Sequence, residues 1–448
     1  PEPRLRVSVP HNTPAGVYHG TVSVSAEGFD AEVPLEVEVY DFALPDVATV
    51  KTMMGSSWHN LNHYYDFKNQ AHRREVIELY TDTYASHRIS PYYPIPTEDF
   101  TFEWKGDDWR TAEVVFDWTR WDAAIDRAVN EKHFNTFVIN VAGLGGGNIR
   151  KRNRGNILGH ELGTKEHEHL FAQWCEQVGQ HLREKGLVGK AICYAFDEPK
   201  AEDLDFVVEQ LDLVKKHLPE VRRMVPLHRK HVEPFVGKLD WWCPILNSHD
   251  LGFSKQRQKL GETYTWYICV SPTAPYVGSF IDRGATDLRV WLWQTWQNGV
   301  DGILIWEAMH WHSAAVYPDE PQNPYRDTMS WAPFAKTPWK AGDGRFIYPP
   351  KALFDENASR PVMDKPVASI RFEMLRDGVE DYEYLTILKD LALAHENELS
   401  ADELSKIQTL LEVPAEISTS LTSWTKVPEP IEERRDAVAR AIEEIRNR

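Results

Sequence analysis

The residues best suited to chemistry are two adjacent acids, Asp197 and Glu198, in the stretch YAFDEP. They follow an apolar run, KAICYAF at 190–196, which Pro199 ends. Burying a charge is costly, but an apolar wall and a neighbouring negative charge also raise the pKa of a carboxyl group towards the range of a general acid. The pattern therefore indicates an acid–base pair that titrates as a coupled unit, or an Asp that caps the following helix.

Eight short apolar runs, alternating with helical patterns, must position this pair. The runs lie at 50–55, 88–94, 136–141, 190–196, 222–228, 240–246, 263–270 and 302–309. Helical patterns lie between most of them, at 68–86, 119–132, 165–185, 201–217 and 283–299. This alternation predicts an α/β fold, a (β/α)8 TIM-like barrel, with a doubly wound sheet as the alternative.

In such a barrel the functional side chains lie at the C-terminal ends of the strands. Collecting the polar and aromatic residues there gives the candidate substrate-binding set: Trp58, His59, Asn140, Tyr194, His228, Asn247, Tyr267, Trp306, Glu307 and Trp311. The set is rich in carboxylate, aromatic, His and Asn side chains and has no basic cluster for phosphate. This composition is typical of a carbohydrate site.

The bulk composition narrows the function further. The 448 residues carry a net charge of −18, which repels phosphate backbones and argues against nucleic acid as a partner. The 17 Trp, 17 Tyr and 18 Phe fit either a large core or a site where sugar rings stack on indoles. The four cysteines lack CxxC spacing, and we expect free, buried thiols. We expect neither a metal nor a cofactor.

Flanking segments suggest two further regions. Residues 4–44 alternate with period 2, which predicts a small antiparallel β-domain of about four strands, either the second half of a sandwich or strands that pack on the next domain. The C-terminal part has helical patterns at 371–397, 400–412 and 429–447. We therefore expect a β-domain at 1–46, the barrel at 47–370 and a helical region at 371–448. No apolar run is long enough to span a membrane. Because the chain begins at Pro1, we expect that a leader was removed and that the protein is secreted or periplasmic.

Several stretches together resemble glycoside hydrolase family 123 and its relatives. YAFDEP resembles the family's catalytic motif, and WYICVSPTAPYVGSFID (266–282), RVWLWQTWQNGVDGILIWEAMHW (289–311), GDGRFIYP (342–349) and SIRFEMLRDGVEDYEYLTIL (369–388) follow in order. The resemblance covers most of the chain. It implies an exo-acting β-N-acetylgalactosaminidase that retains configuration through substrate assistance, in which the 2-acetamido oxygen of the sugar attacks the anomeric carbon and forms an oxazoline.

The same resemblance assigns roles to the acid pair. Glu198 is expected to be the general acid/base, and Asp197 to accept the acetamido N–H and stabilise the oxazoline. Strict strand alternation would point the two side chains to opposite faces, so we expect the turn near Pro199 to redirect at least one of them.

Two alternatives remain open. An enzyme of the same fold could cleave another β-linked sugar with Glu307 as a protein nucleophile, although we favour hydroxyl binding for Glu307. A non-catalytic sugar-binding protein is also possible, but a binder has no need of adjacent acids. A histidine-rich stretch, HELGTKEHEHL at 160–170, suggests zinc, but His167 and His169 are two residues apart and do not share a helix face; we predict a solvated helix start instead.

Overall fold

The structure is a computed structural model that describes residues 5–145, 154–228, 233–312, 321–328 and 341–448. The strands are β1 Gly16–Ala26, β2 Phe29–Val39, β3 Lys51–Met54, β4 Thr101–Lys105, β5 Glu113–Asp117, β6 Phe137–Val138, β7 Asn156–Ile157, β8 His160–Glu161, β9 Ala191–Cys193, β10 Arg222–Leu227, β11 Trp241–Pro244, β12 Thr263–Ile268, β13 Gly302–Ile305, β14 Ile347–Tyr348, β15 Val367–Ala368, β16 Ser418–Ser420 and β17 Ser423–Trp424. The α-helices are α1 Gln70–Ala85, α2 Thr119–Asp126, α3 Lys165–Glu184, α4 Leu204–His217, α5 Leu251–Lys259, α6 Thr286–Gln297, α7 Ile370–Ala394, α8 Ala401–Leu411 and α9 Glu429–Arg446.

A seven-stranded parallel sheet forms the predicted TIM-like barrel, in the order β3-β13-β12-β11-β10-β9-β6. The predicted second strand, 88–94, lies between the two edge strands of this sheet, β3 and β6, and bonds to both without forming a regular ladder. The Met54 amide donates to Ser90 O at 3.0 Å, and the Val138 amide donates to Tyr92 O at 2.7 Å. Pro91 and Pro94 have no amide hydrogen to donate, which explains why this strand is reduced to a bridge.

The barrel interior is filled by side chains contributed around the whole ring. This buried cluster comprises Met53, Tyr92, Val138, Ile192, Met224, Trp241, Cys243, Ile245, Tyr267 and Leu304. Because every strand supplies at least one member, the interior is a packed core that fixes the strand ends. All four cysteines are free, as expected, and three of them are buried.

A β-hairpin that the sequence analysis did not predict follows the bridging strand. Its strands β4 and β5 pair in register from Thr101↔Asp117 to Lys105↔Glu113. Phe116 stacks on Trp118 at 4.5 Å, and Phe100 and Phe102 pack edge-on to Trp174 of α3. Much of the aromatic content of the chain is therefore core, as the first of the two interpretations held.

The chain divides into two compact units: 47–379 with 413–427, and 1–46 with 380–412 and 428–448. The first contains the barrel. In the second, β1 and β2 form one antiparallel hairpin, from Gly16↔Val39 to Ala26↔Phe29. This hairpin supplies the only strands among residues 5–46, where about four were expected. No described helix is long and apolar enough to cross a membrane.

Two buried arginines brace the loops that follow the barrel strands. Arg345 is fully buried and donates to His310 O at 2.8 Å and to Trp311 O at 3.2 Å. Arg371, at the start of α7, donates to Gly342 O at 2.7 Å. Because a guanidinium carries five donors, each of these residues can tie several backbone segments together. Both belong to the C-terminal stretches that carry the family resemblance.

Candidate active site

The backbone turns sharply at Glu198, the second acid of the pair. β9 ends at Cys193, and Glu198 adopts a φ of +44°, in the left-handed region. A non-glycine residue there is strained, and such strain is often found at functional sites. The Glu198 amide donates to Pro226 O of β10 at 3.1 Å, which holds the turn. The redirection that the sequence required therefore occurs at Glu198 itself.

Asp197 does not cap the following helix. α4 begins at Leu204, and the turn before it is closed by the Lys200 amide, which donates to Asp203 Oδ2 at 3.1 Å. Asp197 instead accepts a hydrogen bond from the Tyr194 hydroxyl at 3.1 Å. The capping alternative is therefore excluded, and the Asp197 carboxyl group remains available.

The environment of Asp197 raises the pKa of its carboxyl group. Solvent reaches the residue, yet the surrounding protein desolvates its carboxyl group. Burial, followed by the charge of Glu198, raises the pKa of Asp197 to about 6, and the hydrogen bond from Tyr194 opposes the shift. These are the two causes expected for adjacent acids at a strand end.

Glu198 is held by a tyrosine from the other side of the barrel. The hydroxyl of Tyr267, at the end of β12, donates to Glu198 Oε1. Burial, followed by the charge of Glu198, raises the pKa of Tyr267 well above its usual value. Tyr267 therefore stays protonated and acts as a donor. Each acid of the pair thus has its own tyrosine.

Glu307 lies at the end of β13, but its oxygens face protein donors. It is 3% exposed. Oε1 accepts the amides of Ala308 and Met309 at 2.9 Å each, and Oε2 accepts the Ser57 hydroxyl. Burial raises the pKa of Glu307, and these hydrogen bonds oppose the shift. The carboxylate ties the loop after β3 to the loop after β13.

The three candidate tryptophans differ in accessibility. Trp311 is fully buried and donates its indole N–H to Ile347 O at 2.7 Å, which places it in the barrel wall and away from sugar. Trp58 is 5% exposed and donates to Tyr93 O at 2.7 Å. Trp306 is half-buried and donates to Asp343 Oδ2 at 3.2 Å. Trp306 is therefore the candidate whose ring retains accessible surface.

The remaining candidates lie at the strand ends with accessible side chains. His59, Asn140, His228 and Asn247 are all exposed. Asn140 accepts a hydrogen bond from the Tyr93 hydroxyl at 3.2 Å. Tyr194, half-buried, completes the set through its bond to Asp197. The exposed members can meet a ligand without any rearrangement of the core.

Three structurally important residues were missed from the candidate set. Ser57 bonds Glu307, Asp343 orients Trp306, and His167 braces a loop after β6. α3 begins at Lys165 and His169 is exposed, as a solvated helix start predicts, but His167 is fully buried, with Nε2 2.8 Å from Gly143 O. The buried Asp343 could have been suspected from the GDG turn in GDGRFIYP. Within the described ranges, no three His, Cys, Asp or Glu side chains are grouped as metal ligands.

Comparison with known families decides the identity. The family model described as "Glycoside hydrolase 123, catalytic domain" matches residues 114–388, more than half of the chain. The chain belongs to glycoside hydrolase family 123. Asp197, Glu198 and Glu307 all lie inside the matched region, so the acid pair belongs to the catalytic domain of a glycoside hydrolase, an enzyme that acts on carbohydrate.

One solved structure agrees with the barrel fold of this family 123 enzyme. A family 123 glycoside hydrolase from Clostridium perfringens, studied for the details of glycolipid glycan hydrolysis, is 16% identical with a TM-score of 0.59; the match covers 98% of this chain and 76% of that chain. A β-galactosidase from Bacillus circulans sp. alkalophilus is 8% identical, covers 76% of this chain and 57% of its own, and has a TM-score of 0.36, too low to carry an argument. No curated protein sequence matches the chain.

Proposed function

We propose that this family 123 enzyme releases terminal β-linked N-acetylgalactosamine from the end of a glycan, with retention, by substrate-assisted catalysis. Glu198 protonates the leaving oxygen and later activates water. Asp197 accepts the acetamido N–H, orients the acetamido oxygen towards the anomeric carbon and stabilises the oxazoline that forms. The oxygen attacks as the bond to the leaving group breaks, and water then opens the oxazoline and regenerates the acetamido group.

The observation that carries this proposal is that both oxygens of the Glu307 carboxyl group accept hydrogen bonds from the protein. A retaining enzyme with a protein nucleophile needs a second carboxyl group free to attack, about 5 Å from the acid. Glu307 is buried, and its oxygens accept three protein donors. Asp343, 1% exposed, is also buried. The burial of both carboxyl groups therefore favours a nucleophile supplied by the substrate over a protein nucleophile at either of these positions.

The state of Asp197 also fits its proposed role. With a pKa raised to about 6, the free enzyme holds this carboxyl group close to its titration point near neutral pH. An N–H donor that arrives with the sugar favours the charged form. Binding of a 2-acetamido sugar thus stabilises the carboxylate that the oxazoline requires, whereas a 2-hydroxy sugar lacks that donor in the same place. The description of the Clostridium enzyme is consistent with a glycoconjugate as the substrate.

Hydrolysis of 4-nitrophenyl β-glycosides tests the proposal. Wild type should cleave the N-acetylgalactosaminide and leave the galactoside intact, and both Glu198→Gln and Asp197→Asn should lose at least about a hundredfold in kcat/KM. Glu356→Gln, a substitution of an exposed acid, is the matched control and should be silent. Cleavage of the galactoside at a comparable rate would refute substrate assistance.

A further inference from the structure

The ring of Trp306 lies at the mouth of the barrel, above the core. Strand β13 ends at Ile305, and the side chain of Leu304 belongs to the buried core cluster. Because side chains along a strand alternate between its two faces, Trp306 lies on the same face as Leu304, one step closer to the C-terminal end of the barrel. The ring is half-buried there, so a ligand at the mouth can contact it.

The neighbouring strand brings this ring close to Glu198. In β12, Tyr267 pairs with Leu304 of β13, and the Tyr267 hydroxyl donates to Glu198 Oε1. Tyr267 and Leu304 both belong to the buried core cluster, so the two side chains face the same interior. Trp306, one step above Leu304 on that face, therefore lies one strand away from the residue that holds Glu198.

The surroundings of Cys269, which directly follows β12, give a second indication of this proximity. Burial, with a smaller contribution from the charges of Asp343, Glu198 and Asp197, raises the pKa of the Cys269 thiol to about 12. A hydrogen bond to Ser271 O opposes the shift. Nearby charges shift a pKa in this way, so Asp343 and the acid pair lie near the same thiol.

The turn at 342–344 holds one edge of the Trp306 ring. The indole N–H donates to Asp343 Oδ2 at 3.2 Å. Gly344 packs against the same ring, since a Cβ added at Gly344 would lie 2.7 Å from Cζ2 of Trp306, and its φ of +68° also favours glycine. The centroid of the His310 ring lies 5.1 Å from that of Trp306. These contacts fix where the indole ring lies and how it is tilted.

Asp343 is too buried to contact a sugar itself. It is 1% exposed, and its Oδ1 lies 3.5 Å from the hydroxyl of Ser279, which is 2% exposed. The turn that carries Asp343 is anchored to α7, because Arg371 donates to Gly342 O at 2.7 Å. Of Ser279 and Trp306, only Trp306 reaches solvent. An influence of Asp343 on a bound sugar therefore runs through Trp306.

We propose that Asp343 is a positioning residue of the sugar site: its carboxylate fixes the ring of Trp306, and Trp306 presents that ring to the sugar bound at the acid pair. This inference rests on the proposed function, because that function places the sugar at Asp197 and Glu198. The C–H face of a pyranose ring packs on an indole, and productive packing needs the indole at one place and one tilt. Asp343 supplies that constraint without touching the substrate.

A double-mutant cycle on kcat/KM for 4-nitrophenyl β-N-acetylgalactosaminide tests this coupling. Asp343→Ala removes the acceptor, and Trp306→Phe removes the donor but keeps an aromatic ring. A misplaced positioning group costs up to about a hundredfold, and we expect about a tenfold loss in each variant. Because both changes break the same contact, the double variant should lie within about twofold of the weaker single variant. Asp343→Asn, which keeps an acceptor oxygen, should recover most of the wild-type kcat/KM.

Trp242→Phe is the matched control for the loss of an indole–carboxylate bond. Trp242 is 1% exposed and donates its N–H to Glu262 Oε2 at 2.6 Å. Its neighbours in β11, Trp241 and Cys243, belong to the barrel core, so Trp242 points to the opposite face, away from the mouth. Its kcat/KM should stay within about twofold of wild type. A tenfold loss in this variant as well would assign all of the effects to folding and overturn the proposal.

A readout without turnover separates this inference from the proposed function. In protein with isotope-labelled tryptophan, the indole N–H signal of Trp306, identified by its loss in Trp306→Phe, should move in Asp343→Ala. Methyl β-glycosides of N-acetylgalactosamine, N-acetylglucosamine and galactose are then titrated into Glu198→Gln, and a sugar that contacts the ring should shift the Trp306 signal. A shift by another sugar in place of N-acetylgalactosamine would overturn the proposed function and leave the positioning role of Asp343 supported.

Three further results would overturn the proposal. One is an unchanged kcat/KM in Asp343→Ala. The second is additivity, a double variant about a hundredfold below wild type, because Asp343 would then act independently of Trp306. The third is a Trp306 signal that none of the three sugars shifts, because the ring would then belong to the barrel wall.

Discussion

Replacing Tyr194 with Phe should move the acid limb of the pH–rate profile to higher pH. The Tyr194 hydroxyl donates to Asp197 at 3.1 Å and stabilises its charged form. Without this donor, the pKa of Asp197, already raised to about 6 by burial and by Glu198, rises further. If Asp197 must be ionised to accept the acetamido N–H, kcat/KM falls as the pH drops through that pKa. The fall in the variant therefore begins at a higher pH.

The size of the shift follows from the strength of one hydrogen bond. A buried hydrogen bond to a charged group contributes about 1.5–3 kcal/mol. Because solvent reaches Asp197, we take about a third of that, ~0.7 kcal/mol, which corresponds to about half a pKa unit. The acid limb of kcat/KM reports ionisation in the free enzyme, so the shift applies to the pKa of Asp197 before substrate binds.

The assay is kcat/KM for 4-nitrophenyl N-acetylgalactosaminide measured from acid to neutral pH. Tyr93→Phe is the matched control, since the Tyr93 hydroxyl donates to Asn140 and not to the pair; its acid limb should coincide with that of wild type. An acid limb that stays in place in Tyr194→Phe, or moves to lower pH, would show that Asp197 is not the group whose ionisation controls the reaction.

Three further substitutions test the described contacts. Glu307→Gln should keep kcat/KM within about tenfold, because the amide can still accept the backbone donors, whereas losing a nucleophile would cost about ten-thousandfold or more. Asp197→Asn should raise the free energy of unfolding by about 1 kcal/mol at pH 8, after solvent screening, and should leave it unchanged near pH 4. Between about pH 4 and 6 the native chain holds a proton that the unfolded chain has released, so ionising Asp197 above that range lowers the stability of the wild type but not of the neutral variant. Urea unfolding at both pH values measures this. Gly55→Ala places a Cβ 2.0 Å from Trp306 O and should lose about 3 kcal/mol of unfolding free energy. Gly20→Ala, inside β1, meets nothing within 4 Å and should keep or slightly raise the unfolding free energy.

The barrel was predictable because each parallel strand, buried on both faces, is a short apolar run between helices. The start of a helix could also be predicted where a capping residue is present. Thr164, whose side chain accepts the His167 amide, caps the start of α3. The irregular pairing of the bridging strand could not be predicted from the sequence. Its prolines show that some amide donors are missing, but which hydrogen bonds remain depends on the positions of both neighbouring strands. The β4–β5 hairpin was missed since its charged turn, KGDDWRTAE, hides a short alternating pattern.

The acid pair could be found from sequence, but its surroundings could not. Nothing in the types of Asp197 and Glu198 shows that the second has a left-handed backbone, because that conformation accompanies a hydrogen bond from its amide to Pro226 O on a neighbouring strand. Trp306 and Trp311 look equivalent in the sequence, yet one is half-buried and the other fully buried. Side-chain exposure at a strand end depends on loops that arrive from distant parts of the chain, and local pattern does not encode it.

The nucleophile is the centre of the account, and the electronics of the substrate test it most directly. Fluorines on the acetamido methyl group withdraw electrons from the carbonyl oxygen and weaken it as a nucleophile, while the sugar and leaving group stay the same. We expect the trifluoroacetamido substrate to lose at least about tenfold in kcat/KM relative to the acetamido substrate if that oxygen attacks. An unchanged rate would contradict substrate assistance and require a protein nucleophile.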